Sequence, residues 1–185
     1  MYNALMVPFT LVTGNTHKLT EFKRLLPADY PFKHQALDLD EIQSFDPKVI
    51  TADKARRAYA LIKAPVVVED VSAGLDGLNG LPGPFIKFFE IQLGESALFK
   101  LAGTDTKATI TCTIAYYDGK KMLLCQGIVG GSVVPTRQGS GYGFDSVFMP
   151  AGQSKTFSQM TPEAKDAISH RGKAVQNLLH LLQHL

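Results

Sequence analysis

Phe9-Thr10-Leu11-Val12-Thr13-Gly14-Asn15-Thr16-His17-Lys18 is the stretch on which the fold turns. It begins as an apolar, β-favouring run and passes into Leu19, Phe22, Leu25 and Leu26 at helical spacing. The pattern predicts a strand from Phe9 to Thr13 and a helix from Lys18 to Leu26. Such a junction is a natural anion site. Backbone N–H groups at a helix N-terminus lack partners, the helix dipole favours negative charge, Gly14 allows close approach and Lys18 adds a mobile cation. A phosphate chain is the expected ligand. The stretch is not a Walker A loop and lacks the glycines of a dinucleotide fingerprint. Taken alone it also reads as an ordinary capped strand-to-helix turn.

Outward from this junction, strands alternate with helices. A strand is expected at Pro31 to Ala36, a helix at Pro47 to Ile62 opened by Asp46-Pro47, and an apolar strand at Pro65 to Val68. The glycine- and proline-rich run Val71 to Pro84 reads as an ordered loop or lid. Helices follow at Phe85 to Gln92 and Glu95 to Ala102. Two β-rich runs, Ile110 to Tyr117 and Lys121 to Gln126, then flank an Asp118-Gly119 turn. A two-residue turn there sets Cys112 opposite Cys125, where two packed thiols are expected rather than a disulfide. The second run is expected to continue to Val134, with a further strand near Val147-Phe148. Thr161-Pro162 opens a helix and Ser169 caps the last one. The fold class is α/β, a mixed sheet with flanking helices.

The chain has 185 residues, of which 45% are hydrophobic and 19% charged, matching one substantial globular domain spanning residues 1–185 and excluding extensive disorder. A net charge of +2 without a polybasic run argues against nucleic acid or an anionic membrane as partner, so the phosphate ligand should be small. Met1 to Thr10 is too short and polar for a signal peptide, and no apolar run approaches the ~20 residues of a membrane span. A cytoplasmic location is expected.

Glu69-Asp70 closes the strand Pro65 to Val68, and ligands gather at the carboxyl ends of strands in open α/β sheets. If that strand neighbours Phe9 to Thr13, the phosphate turn and the acidic pair share a crevice that Mg²⁺ would bridge. Glu41, in Asp38-Leu39-Asp40-Glu41, offers a further carboxylate. Lys54 and Lys87 are possible phosphate contacts, or merely solvent-facing lysines. Gly141-Tyr142-Gly143-Phe144-Asp145 offers aromatic faces to a base, or two core aromatics flanking a turn. Lys165 and Ser169-His170-Arg171 form a cationic cluster in which Arg171 has the planar fork suited to a purine edge. His180 and His184 have metal spacing but no third ligand, and read as a helix-end pair.

Together, Thr13-Gly14-Asn15, Lys18, Glu69-Asp70, Leu81-Pro82-Gly83-Pro84-Phe85-Ile86-Lys87, Gly143-Phe144-Asp145 and Ser169-His170-Arg171 occur in an order that resembles the inosine triphosphate pyrophosphatase (HAM1-like) family. The resemblance runs from Phe9 to the last helix. It implies two lobes enclosing a nucleotide cleft, and a homodimer. It also implies Mg²⁺-dependent hydrolysis, with Mn²⁺ a possible substitute, of inosine, deoxyinosine or xanthosine triphosphate to monophosphate and pyrophosphate. By the same resemblance, Thr13, Gly14, Asn15, Thr16, His17 and Lys18 hold the phosphates, Glu41 and Asp70 are metal-side carboxylates, and Lys54 and Lys87 line the phosphate channel. Asp70 matches the proton acceptor for the attacking water. Tyr142, Gly143, Phe144, Asp145, Lys165, His170 and Arg171 enclose base and sugar.

The chemistry of the residues agrees. Cations must neutralise charge on a leaving polyanion, and a carboxylate must orient or deprotonate water. Two positions depart from the family pattern: Val71 replaces a Ser or Thr, leaving only a backbone contact there, and Ser146 replaces a proline. A nucleotide sensor without turnover, and a Maf-like enzyme for modified pyrimidine triphosphates, are the alternative functions.

Overall fold

The computed structural model describes residues 6–185; the Met1 to Thr10 reading therefore falls partly outside the described residues. β1 (Phe9–Val12) is buried at all four positions. It lies parallel to β2 (Phe32–Gln35), Phe9 opposite Phe32, and to β3 (Val66–Leu75), Thr10 opposite Val66. Side chains on both faces of this central strand are buried, which is why FTLV is apolar without strict alternation. β2 is the opposite case, an edge whose Lys33, His34 and Gln35 face solvent. Between them runs α1 (Thr16–Leu25).

α2 (Pro47–Ile62) has the bounds its sequence predicts: Asp46 accepts the Lys48 N–H at 2.8 Å, Pro47 occupies the first turn, and Lys63 closes the helix at φ 58°. Its buried face carries Ile50 and the smaller Thr51, Ala52, Ala55 and Ala58, and Ala55 and Ala58 pack with Val12, Val66, Val68 and Ala115. The order continues with β4 (Pro82–Gly83), α3 (Ile86–Leu93), α4 (Ala97–Ala102), β5 (Lys107–Tyr117), β6 (Met122–Val133), β7 (Phe148–Pro150), α5 (Pro162–Ile168) and α6 (His170–Leu182). The strands form one mixed seven-stranded sheet in the order β2-β1-β3-β5-β6-β7, with β4 paired to β3.

The chain forms two units. The first comprises the described residues up to Asp70 with Cys112–Gly127 and Arg171–Leu185; the second comprises Val71–Thr111 and Ile128–His170. The second has its own core, in which Leu75, Ile86, Leu98, Ile110, Phe148 and Phe157 are buried and Val71 packs against them. No helix among the described residues is long and apolar enough to cross a membrane.

Two expectations are corrected. The strand predicted to stop at Val68 runs on to Leu75, so Glu69 and Asp70 lie within it and Val71 to Leu75 is not loop. The glycine there serves a close approach: a Cβ on Gly74 would lie 2.7 Å from the Gly80 carbonyl oxygen as the chain doubles back. The Leu75 N–H bonds the Leu81 oxygen at 2.9 Å, and β4 pairs antiparallel with Ala73 and Gly74. Secondly, the hairpin register is shifted. The Asp118 N–H bonds Lys121 O at 3.4 Å and the Gln126 side-chain amide donates to Thr113 Oγ1 at 2.9 Å. Gly119 and Lys120 are thus the turn's central residues, and Cys112 does not face Cys125. Both cysteines are buried and free, as packed thiols. The short strand expected near Val147-Phe148 is present as β7, entered from a 3₁₀ turn over Gly143–Ser146.

Replacing Gly74 with alanine forces a Cβ against backbone that cannot swing aside. A loss of about 1–3 kcal/mol is expected, as for overpacking elsewhere. Urea denaturation measures it; an unchanged midpoint would show that the Gly80 turn yields freely.

Candidate active site

In the first unit the Thr13 to Lys18 turn is capped from within. Asn15 Oδ1 accepts the N–H of His17 at 2.9 Å and of Lys18 at 3.2 Å, while the Asn15 N–H bonds Thr13 Oγ1 at 3.1 Å. Two amides that the sequence suggested were unpaired are therefore satisfied by the cap. Gly14 is exposed and a Cβ there would meet nothing within 4 Å, so its missing side chain fills no packing need of the protein. Thr16 and His17 are exposed at the helix start.

Lys18 turns from this helix to Glu69, with Nζ 3.0 Å from Oε1. Glu69 is only 2% exposed. Arg171, at the start of α6, grips it with Nε on Oε2 and Nη2 on Oε1, both at 2.8 Å, and its Nη1 bonds Glu21 on α1. The Cys112 thiol donates to Glu69 Oε2 at 3.5 Å. Burial alone would raise the Glu69 pKa, but the Arg171 and Lys18 charges and their hydrogen bonds hold it well below the carboxylate range. In this structure the fork expected at a purine edge is therefore engaged by two carboxylates, because a buried guanidinium requires paired charge. Burial pushes the Cys112 thiol well up and the Cys125 thiol up to about 12, so neither is a nucleophile at neutral pH.

Asp70 presents a different environment. Successive side chains on a strand point to opposite faces, so Asp70 cannot join Glu69 in its pocket. Its Oδ2 is buried without a hydrogen-bond partner. Burial raises its pKa to about 6; Lys18 and Lys54 oppose the rise, and Glu41 and Glu69 add to it. Lys54 on α2 is ion-paired with Glu41. The structure thus brings Lys18, Glu41, Lys54, Glu69 and Asp70 into one electrostatic neighbourhood.

In the second unit the predicted base-side residues are tied to one another. Asp145 is buried, and its Oδ2 accepts Lys165 Nζ at 2.6 Å and the Tyr142 N–H at 3.1 Å. Lys165 Nζ lies 5.3 Å from the Tyr142 ring centre and 5.6 Å from that of Phe157. Tyr142 stays partly exposed. Phe144 belongs to the core, and buried His170 sits with ring centroids 5.8 Å from Phe144 and 5.9 Å from Phe157. The turn therefore presents one accessible aromatic, not two, and His170 is packed among rings. Lys87 is exposed in the first turn of α3 and makes no ion pair among the described residues. Ser169 lies between α5 and α6. His180 and His184 meet edge to face at 4.9 Å.

Three polar residues were not singled out from sequence. Glu21 lies three residues after Lys18, one helical turn along α1, a spacing that could have drawn attention to it. Ser72 shares the strand face of Asp70 and its buried Oγ lacks a partner; Glu90 on α3 likewise has a buried, unpartnered Oε1. Neither carries a local sequence signal.

The profile of the Ham1 family matches residues 9–181. The inosine triphosphate pyrophosphatase of Schizosaccharomyces pombe is 39% identical over 176 residues, covering 93% of each chain. That of Yarrowia lipolytica is 43% identical over 172 residues, covering 90% of this chain and 91% of its own. A HAM1 protein from Coxiella burnetii superposes with a TM-score of 0.82 at 27% identity, over 97% of this chain and 100% of that one.

Arg171→Ala leaves Glu69 and Glu21 buried without their shared cation, and should cost about 3–5 kcal/mol at pH 7. The sign with pH follows from the lowered Glu69 pKa: its stabilisation is full above the ordinary value of 4.5 and is lost as pH falls through the folded value. Denaturation from neutral to acid pH should show the wild type approaching the variant at the acid end. A constant gap would mean that Glu69 is not the partner that matters.

Proposed function

The chain belongs to the Ham1 family, and we propose that it is a nucleoside triphosphate pyrophosphatase hydrolysing the non-standard purine nucleotides ITP, dITP and XTP to monophosphate and pyrophosphate. The observation that carries this reading is Asp70: a buried carboxylate with one unpartnered oxygen, under the influence of Lys18 and Lys54. The relatives' name supports the substrate class.

In the proposed reaction, a water oxygen bonds to phosphorus while the anhydride bond between the α and β phosphates breaks. Pyrophosphate leaves with the electron pair, and Asp70 accepts the water's proton. A carboxyl with a pKa near 6 is largely ionised at neutral pH yet basic enough for that transfer. Lys18 and Lys54 neutralise phosphate charge, Lys87 contributes a further exposed cation, and the Thr13 to Lys18 turn receives the chain end. Glu69, locked by Arg171, orients Lys18.

The donor set fits a magnesium ion. Asp70 Oδ2 is a hard, buried oxygen in want of a partner, Glu41 is a second carboxylate, and Mg²⁺ takes one or two carboxylates with water and phosphate completing its shell. When bound, Mg²⁺ or Mn²⁺ supplies positive charge to the phosphate oxygens. Base recognition is assigned to the Tyr142 to Asp145 turn with Lys165. A site that donates to a 6-oxo group leaves its donors unpaired against adenine, whose 6-amino group is itself a donor. A homodimer working in the cytoplasm completes the proposal on the strength of the resemblance alone.

Asp70→Asn removes the base and weakens the cation site while keeping the shape. Pyrophosphate release from ITP should fall by roughly 10²-fold or more, with the circular dichroism spectrum preserved. Near-parental release would remove Asp70 from the mechanism. Wild-type rates with ITP and ATP in the same assay test the substrate class, ITP being expected to react far faster.

A further inference from the structure

Glu90 belongs to none of the groups used above. It projects from α3 toward the 3₁₀ turn Gly143–Ser146, where the Phe144 amide favours its charged form. A Cβ on Gly143 would lie 3.0 Å from Glu90 Oε1 and 3.4 Å from Oε2, and Gly143 has φ +60°. Glycine thus does two things here: it takes the left-handed conformation and lets the carboxyl abut the backbone. Oε1 is buried and has no hydrogen-bond partner, so nothing there compensates a charge on it. Two acidic groups bear on this carboxyl from the elements around it, and a cation is paired with one of them. Asp145 lies on the turn itself, Glu95 follows α3, and Lys165 on α5 is bonded to Asp145.

We propose that Glu90 is a positioning residue: through its buried contact with the Gly143 backbone it sets the conformation of the Tyr142 to Asp145 turn, and its ionisation loosens that turn and weakens purine binding. The neutral carboxyl rests against Gly143 beside Asp145 without repulsion. The carboxylate sets a second negative charge against Asp145, whose buried bond to Lys165 organises the turn, and leaves a charged oxygen desolvated. Burial first, then Asp145 and Glu95, move the titration up to about 7 against the Phe144 amide, within the range where an enzyme works. The inference deepens the base-side assignment of this turn and rests on it.

The test uses the whole chain, wild type and Glu90→Gln, at about pH 5.5 and about pH 8.5, either side of the titration. Amide NMR follows Gly143 and Phe144, and calorimetry gives the Kd of inosine monophosphate. The ligand's own phosphate titrates identically for both proteins, so the ratio of their affinities is the readout. The wild-type amides should shift with a midpoint near 7 and those of the variant should not. The variant should bind roughly fivefold or more tighter than wild type at the higher pH and equally at the lower, the low end of site-to-site coupling. Amides that ignore pH in the wild type would overturn the proposal outright. Amides that titrate while the affinity ratio stays flat would overturn it through the turn's base-binding reading, and the two failures are told apart by the spectra.

Discussion

Glu69 is a carboxylate buried at the centre of a strand, and the first unit is arranged around keeping it charged. Its partners come from three segments remote in sequence: Lys18 on α1, Arg171 at the start of α6, and the Cys112 thiol on β5. Glu21 is drawn in as the second carboxylate on the same guanidinium. An unpaired charge at this depth costs several kcal/mol, so each partner fixes the others. The consequence for chemistry is indirect. Lys18, the cation proposed to meet phosphate, is held between the capped turn that carries it and a carboxylate that stays ionised.

The neighbouring residue has the opposite fate because of the pleat. Glu69 and Asp70 are consecutive, so one side chain enters the ion network and the other leaves it. Asp70 is left with a raised pKa and an unpartnered oxygen. Two adjacent carboxyl groups whose environments push their pKa values in opposite directions are suited to different tasks, one structural and one a proton acceptor. The second unit repeats the principle with Asp145 and Lys165 paired and Glu90 left protonatable.

The strand-to-helix turn was legible because periodicity changes abruptly at Thr13, and α2 because Asp46-Pro47 is a strong start signal. The adjacency of β1 and β3, on which the site depends, is only a condition at the level of sequence, and the pairing of Thr10 with Val66 meets it. The continuation of β3 was not legible: Ser72, Ala73 and Gly74 are small, and only the return of Gly80 explains why. Hairpin register was missed by one turn position, since Asp118-Gly119 also fits a turn centred one residue later. The site residues were legible as types. Their partners were not, because the bond between Arg171 and Glu69 spans the chain and leaves no local trace. That bond turned an expected base reader into an internal clamp.

The claim that Glu69 is structural and Asp70 chemical has a direct test in the stability of two isosteric variants at pH 7. Glu69 is a carboxylate held ionised by its partners, so Glu69→Gln should lower the denaturation midpoint. Asp70 is ionised against the preference of its site, so Asp70→Asn should leave the midpoint unchanged or raise it. Opposite signs are the predicted result; a loss of stability in both variants, or in Asp70→Asn alone, would contradict the account.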